Sequence, residues 1–312
     1  MNLKFIALII VVVVIIASGF YVYAETQKPK SQQSSIMVVD DLGRSVNVSL
    51  PVKRVVSMDP SDTQMMYAIG AGSLLVADTS FDWWPANSTL LPHVAMDSGV
   101  ASVEQVVNMT PDLVLATTIQ TSQIIDQLQN LSIPVLVFEP QNISNIYTDM
   151  MTLGKVTGHT SGATAEVNHM KSVISNVQTK IANYSKESLL YMMWPNPIYT
   201  AGPTSFIDNV ITTAGGANIA ENLSGPYPVI SLEQVVADNP QTIIVDNNTG
   251  VSNITYFTSG NQSQIWDNIS AIKNDRLLIF NVTESNWMNE PGPLTIYAVQ
   301  MVAQFLYPQA FE

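Results

Sequence analysis

Cysteine is absent from the 312 residues, which excludes disulfide staples, thiolate metal sites and an N-terminal cysteine that could carry lipid. Charge is scarce too. Asp, Glu, Lys and Arg make up 12% of the chain, about half the usual share. Lys and Arg together number 12 against 25 Asp and Glu, a formal net charge of -13, so no basic stripe is available to release counterions from nucleic acid. Nucleic acid is therefore excluded as a partner. The 3 histidines, His93, His159 and His169, form no ligand-spaced cluster, so neither a metal centre nor a resident cofactor is expected. Catalytic motifs are missing as well: there is no Gly-x-Ser-x-Gly elbow, no His-Glu-x-x-His and no phosphate-binding glycine loop. Ala214-Gly215-Gly216-Ala217 reads as a plain glycine turn, and no residue is assigned a catalytic role.

What the chain does contain begins with an address. Lys4 precedes an apolar run from Phe5 to Tyr23, close to the roughly 20 residues that span a bilayer as a helix. Val22 and Ala24 also fit a signal-peptide cleavage pattern, but the run is longer than the central region of a signal peptide, which favours a retained anchor. Residues 1–24 are thus read as an anchor or signal, and the polar, aperiodic stretch 25–35 as a flexible tether. Asn-x-Ser/Thr sequons at Asn47, Asn87, Asn108, Asn130, Asn142, Asn183, Asn222, Asn247, Asn253, Asn261, Asn268 and Asn281 agree with an extracellular, glycosylated body. A polar surface with few charges also suits acidic surroundings, where ion pairs are lost as carboxylates take up protons.

The body repeats itself. Ser102-Val103-Glu104-Gln105-Val106-Val107 returns as Ser231-Leu232-Glu233-Gln234-Val235-Val236, followed at matched distance by Pro111 or Pro240 and then by a short apolar run. The spacing is far too long for a solenoid and predicts two similar lobes. Each copy reads as a helix with Ser102 or Ser231 as N-cap, Gln105 or Gln234 placed as in a capping box, and an acid near the positive end of the helix dipole. The second-position glutamates, Glu104 and Glu233, project outward and remain free for another task.

Apolar runs alternate with helical periods throughout. Strands are predicted at 54–57, 74–77, 113–116, 135–138, 189–193, 243–245 and 277–280, and helices at 63–69, 122–130 and 143–156. This alternation predicts an α/β fold with largely parallel sheets. Val167, Met170, Ile174, Val177 and Ile181 share one face of the longest helical pattern, which starts near Thr160 or Ser161 and ends near Tyr184. The organisation is an N-terminal lobe at 36–141, a helical linker at 142–186 and a C-terminal lobe at 187–312. A continuous helix between lobes is stiff, so large hinge closure is not expected.

Asp40-Asp41-Leu42-Gly43-Arg44, Arg54-Val55-Val56-Ser57, Ala68-Ile69-Gly70-Ala71-Gly72, Pro111-Asp112-Leu113-Val114, Leu153-Gly154-Lys155-Val156-Thr157-Gly158, Ala214-Gly215-Gly216-Ala217-Asn218 and Pro291-Gly292-Pro293 stand in a fixed order across residues 36 to 308. As an ordered set they resemble substrate-binding proteins of ABC importers for iron chelates and cobalamin. The resemblance implies two Rossmann-like α/β lobes joined by a single long rigid helix, with a ligand cleft between them. It implies a monomer that passes a small molecule to a permease and ATPase, with Glu104 and Glu233 docking on permease arginines.

Ligands in α/β sheets usually lie beyond the carboxyl ends of strands. Aromatics gather in loops predicted there, and with Asp59 the expected ligand contacts are Phe81, Trp83, Trp84, Trp194, Tyr199, Tyr227 and Trp287, a stacking surface for a large planar ligand. Lys and Arg are missing from these loops, and Glu290 and Leu294 flank the Pro-Gly-Pro motif. A carboxylate or catecholate chelate would need basic partners in a dry cleft, so a neutral or cationic ligand is expected, a corrinoid or a neutral iron chelate; among iron chelates a siderophore or haem stays open, although haem's propionates lack an evident clamp. The competing readings are a surface-anchored sensing or adhesion protein on the same scaffold, and a hydrolase. Adjacent permease and ATPase genes would favour transport over the first, and recovery of unaltered ligand would exclude the second.

Overall fold

Short apolar strands, several of them buried along their whole length, build the frame. The computed structural model describes residues 34–260 and 263–312. The leader at 1–24, nearly all of the 25–35 tether and the sequon at Asn261 lie outside the described residues. Among the described residues, no helix is long and apolar enough to cross a membrane.

In chain order the strands are β1 (Ser35–Val39), β2 (Ser45–Ser49), β3 (Val55–Ser57), β4 (Leu75–Thr79), β5 (His93–Val94), β6 (Met96–Asp97), β7 (Val100–Ala101), β8 (Leu113–Ala116), β9 (Val135–Val137), β10 (Glu187–Pro195), β11 (Ile198–Thr200), β12 (Gly216–Asn218), β13 (Val229–Ile230), β14 (Thr242–Val245) and β15 (Leu277–Ile279). The N-terminal sheet runs β5-β4-β3-β8-β9 and is parallel throughout. The C-terminal sheet runs β13-β11-β10-β14-β15, with β12 also beside β10. Its β12, β10, β14 and β15 are parallel, whereas β11 and β13 join as antiparallel edge strands.

Parallel strands buried on both faces must divide their side chains between two cores. On β8, Leu113 and Leu115 enter one core while Val114 and Ala116 enter another. On β10, Leu189 and Tyr191 enter the first of these, and Leu190 and Met192 a third. The first core is therefore shared by both sheets. Its middle is supplied by Val167, Met170, Ile174, Val177 and Ile181, the predicted stripe of the 22-residue helix Thr160–Ile181. Each fully buried aliphatic side chain there stabilises the fold by roughly 1.5–3 kcal/mol relative to exposure. The lobes are α/β units joined by this long helix, and the shared core ties it to both sheets.

The preceding helix, Ile143–Thr157, stops at Gly158, whose φ of 77° is the left-handed conformation that glycine adopts without strain. Gly162 permits a close crossing: a Cβ there would lie 2.0 Å from the Ile69 carbonyl oxygen at the end of helix Pro60–Ala68. The repeat forms two short helices, Val103–Asn108 and Leu232–Asp238, capped by Ser102 and Ser231 as expected. Only half of each capping box is made. Ser102 N–H already donates to the Ala95 carbonyl, so Gln105 accepts instead from Ala95 N–H at 2.7 Å. Gln234 donates to Asp238 at 2.9 Å.

Candidate ligand cavity

Four neighbouring strands of the N-terminal sheet end against one space. In spatial order, β4 delivers Thr79, β3 leads to Met58 and Asp59, β8 leads to Thr117, and β9 leads through Phe138 to Glu139. Parallel strands all point the same way, so their carboxyl ends form a single edge, and polar residues just past buried runs collect along it. Asn289, Glu290 and Pro291 face this edge from the C-terminal side, together with Tyr227. They enclose a cavity of about 520 Å³, whose apolar walls include Met58, Phe81, Met96 and Ile119. A smaller cavity of about 260 Å³ shares Tyr227 and Asn289 with it and reaches Met193, Phe206 and Asp246 in the C-terminal lobe.

The carboxyls of the wall are held by short hydrogen bonds. Asp59 caps helix Pro60–Ala68, accepting from Ser61 N–H at 2.9 Å and from the Ser61 hydroxyl, while Thr117 donates to its other oxygen at 3.3 Å. Glu139 accepts from Thr118 N–H at 3.0 Å and from the Thr118 hydroxyl at 2.7 Å. Glu290 reaches across from the C-terminal lobe to accept from the Gln64 amide and, at 2.8 Å, from the Trp83 indole N–H. Gly292 next to it has no Cβ to press on Gln64, where one would sit 2.9 Å from Oε1. Behind the wall, Asp82 accepts from Thr79 N–H and hydroxyl, and Asp62 is fully buried with neither oxygen bonded.

No Lys or Arg lines the cavity. Burial therefore dominates these carboxyls. It raises Asp59 and Asp82 above the ordinary range and Asp62 well above it, and the charges of Asp59 and Asp149 push Asp62 further. Glu290 is pushed up to about 8 by burial, against the pull of its Trp83 hydrogen bond. Among the described residues, no cluster of three or more His, Asp or Glu is arranged to hold a metal ion.

Of the ligand contacts expected from sequence, Asp59, Phe81 and Tyr227 line the main cavity. Trp83 stands just behind, tied to the wall through Glu290. Trp84 is half-buried and outside the lining. Trp287 packs on the shared core with its ring 5.2 Å from that of Tyr297. Trp194 and Tyr199 are register partners on β10 and β11, and Tyr199 pairs in turn with Val229 on β13. These three side chains make an exposed apolar row outside the cavity lining. Glu104 and Glu233 are exposed in the first turns of the two repeat helices. Sequence reasoning missed Glu139, Thr117, Met96, Ile119 and Asn289. For Glu139 a signal existed, because it follows the buried run Val135–Phe138 as Asp59 follows Val55–Met58.

Comparison with known proteins agrees with this fold. The chain is 29% identical over 254 residues to the vitamin B12-binding protein of Yersinia pestis, covering 81% of this chain and 85% of that one. Its fold superposes on the periplasmic vitamin B12 binding protein of Vibrio cholerae with a TM-score of 0.71 at 23% identity, covering 84% of this chain and 99% of the other. The apo periplasmic heme-binding protein of Roseiflexus sp. RS-1 gives 0.70 at 17% identity, over 83% and 99%. The family model described as periplasmic binding protein matches residues 55–280, most of the described body, and the chain belongs to that family.

Proposed function

We propose that this protein is the extracellular receptor of an ATP-driven importer, which takes a corrinoid or an iron chelate into the cavity and hands it to a membrane permease and ATPase. The observation that carries this reading is the cavity itself, set at the carboxyl edge of one sheet, closed from the other lobe and walled by Met, Phe and Tyr. Such a space suits a large, partly apolar ligand better than a bare ion. In this reading the lobes comprise residues 36–141 and 187–312 with the linker 142–186 between them, and Glu104 and Glu233 give a two-fold permease one fixed point per lobe. Charge pairs of that kind set register and encounter more than affinity. Residues 1–24 either hold the receptor at the membrane or direct its export and are cleaved, and 25–35 form a tether.

Titration with cyanocobalamin and with a neutral ferric hydroxamate tests the ligand class, following tryptophan fluorescence. Saturable quenching by either ligand, with ligand recovered unaltered, is the expected result. Failure of both to bind refutes the proposal.

A further inference from the structure

The side-chain donors around the cavity are nearly all spent on carboxyls. The hydroxyls of Ser61 and Thr117 donate to Asp59, and that of Thr79 donates to Asp82 at 2.7 Å. The Asn289 amide donates to Asp246 at 2.6 Å, and Gln64 and Trp83 donate to Glu290. Among the lining side chains, the Tyr227 hydroxyl has no acceptor in the protein, its pKa raised by burial and then by the Glu139 charge, and Glu290, raised to about 8, carries one further proton at neutral pH. What the walls offer a ligand is therefore acceptor capacity. The Asp59 and Glu139 carboxyls lie on the same sheet edge, two strands apart across Thr117. Their hydrogen bonds to the protein fix them in place before any ligand arrives.

A ligand carboxylate entering this space would meet the fixed acids Asp59 and Glu139 with no cation to offset it, and for the water its oxygens lose only Tyr227 and Glu290 are left to donate. A ligand rimmed with primary amides meets the opposite situation, because each amide brings two N–H donors and no charge. We infer that the cavity selects for a large ligand with an uncharged, amide-rich rim, a corrinoid with its side-chain amides intact, and discriminates against carboxylate-bearing chelates through Asp59 and Glu139. This rests on the receptor reading above and narrows it to one ligand chemistry.

The matched probes are cyanocobalamin and the monocarboxylate made from it by hydrolysing one propionamide, which share a ring and differ by one charge. Affinities measured by tryptophan quenching at neutral pH should fall by about tenfold or more for the monocarboxylate. Glu139→Gln keeps an oxygen for Thr118 and should narrow the gap to a few-fold. Asp59→Asn is a second variant should the first unfold, and thermal melts establish that each is folded. Equal or tighter binding of the monocarboxylate, or a gap unchanged in both folded variants, overturns the inference while leaving the receptor reading intact. Binding of a ferric chelate but of neither corrinoid also overturns it without touching that reading. If nothing binds, both fall together.

Discussion

Asp149 offers the sharpest test of how this fold handles its acids. It lies on helix Ile143–Thr157, buried, with Oδ2 lacking any partner. Its carboxyl hydrogen-bonds with that of Asp41, which in turn accepts from Glu139 N–H at 2.7 Å. Burial, then the Asp41 charge, pushes Asp149 from 3.8 up to about 8. A carboxyl with a raised native pKa stabilises the fold in its protonated form. That contribution is complete below pH 3.8, where the unfolded chain is protonated too, and it is lost progressively as pH rises toward about 8.

Between pH 7 and pH 5 the unfolded carboxyl is ionised and the native one is protonated, so each pH unit is worth about 1.4 kcal/mol and the interval about 2–3 kcal/mol. Asp149→Asn abolishes that dependence and places an amide donor beside Asp41. Urea unfolding followed by tryptophan fluorescence at both pH values should show wild type gaining stability on acidification. The gain in Asp149→Asn should be smaller by about 2–3 kcal/mol, with unchanged m-values. An equal or larger gain in the variant refutes the reasoning. Asp62, raised well above 3.8, Glu290, raised to about 8, and Asp78, raised to about 6, act in the same direction. Wild type should therefore stay folded well below neutrality, as its scarcity of charge anticipates.

Two further perturbations probe the frame and its outer surface. Replacing both Glu104 and Glu233 by alanine should abolish uptake while leaving ligand affinity in solution unchanged, and preserved uptake would dismiss the docking role. Gly162→Ala forces a methyl to within 2.0 Å of the Ile69 carbonyl, where backbone must move, so it should lower stability by about 1–3 kcal/mol. A melting temperature equal to wild type would show that the crossing of helices is looser than described.

How much of this was legible in the sequence depended on whether the signal was periodic or local. Strand β8 and helix Ser122–Asn130 fall at the residues predicted, and the stripe from Val167 to Ile181 is buried as read, because one-sided burial writes a regular pattern into the chain. Helix Pro60–Ala68 begins before the predicted 63, since Asp59 caps it and Pro60 fits its first position, a local cue outweighed by the apolar run that follows. The site was harder to read. Aromatic residues gathered in predicted loops, yet Trp194 and Trp287 are separated from the cavity lining by the pairing of β10 with β11 and by packing on the shared core. Which side of a loop an indole takes is decided by residues far away in sequence, and no spacing records it.

The acids follow a simpler rule, and it bears on how the receptor works. Asp59 and Glu139 each come directly after a buried parallel strand or its extension, so their positions are fixed by the register of β3 and β9 rather than by loop conformation. Glu290 is fixed from the opposite lobe by Gln64 and Trp83, with Gly292 pressed against the same helix. The core beneath them holds residues of both sheets, and a stiff join of that kind is expected to resist closure of the lobes upon a ligand. In the proposed reading, recognition rests on acceptors already in place, where ordering costs have been met by the fold and a mismatched charge is not relieved by movement.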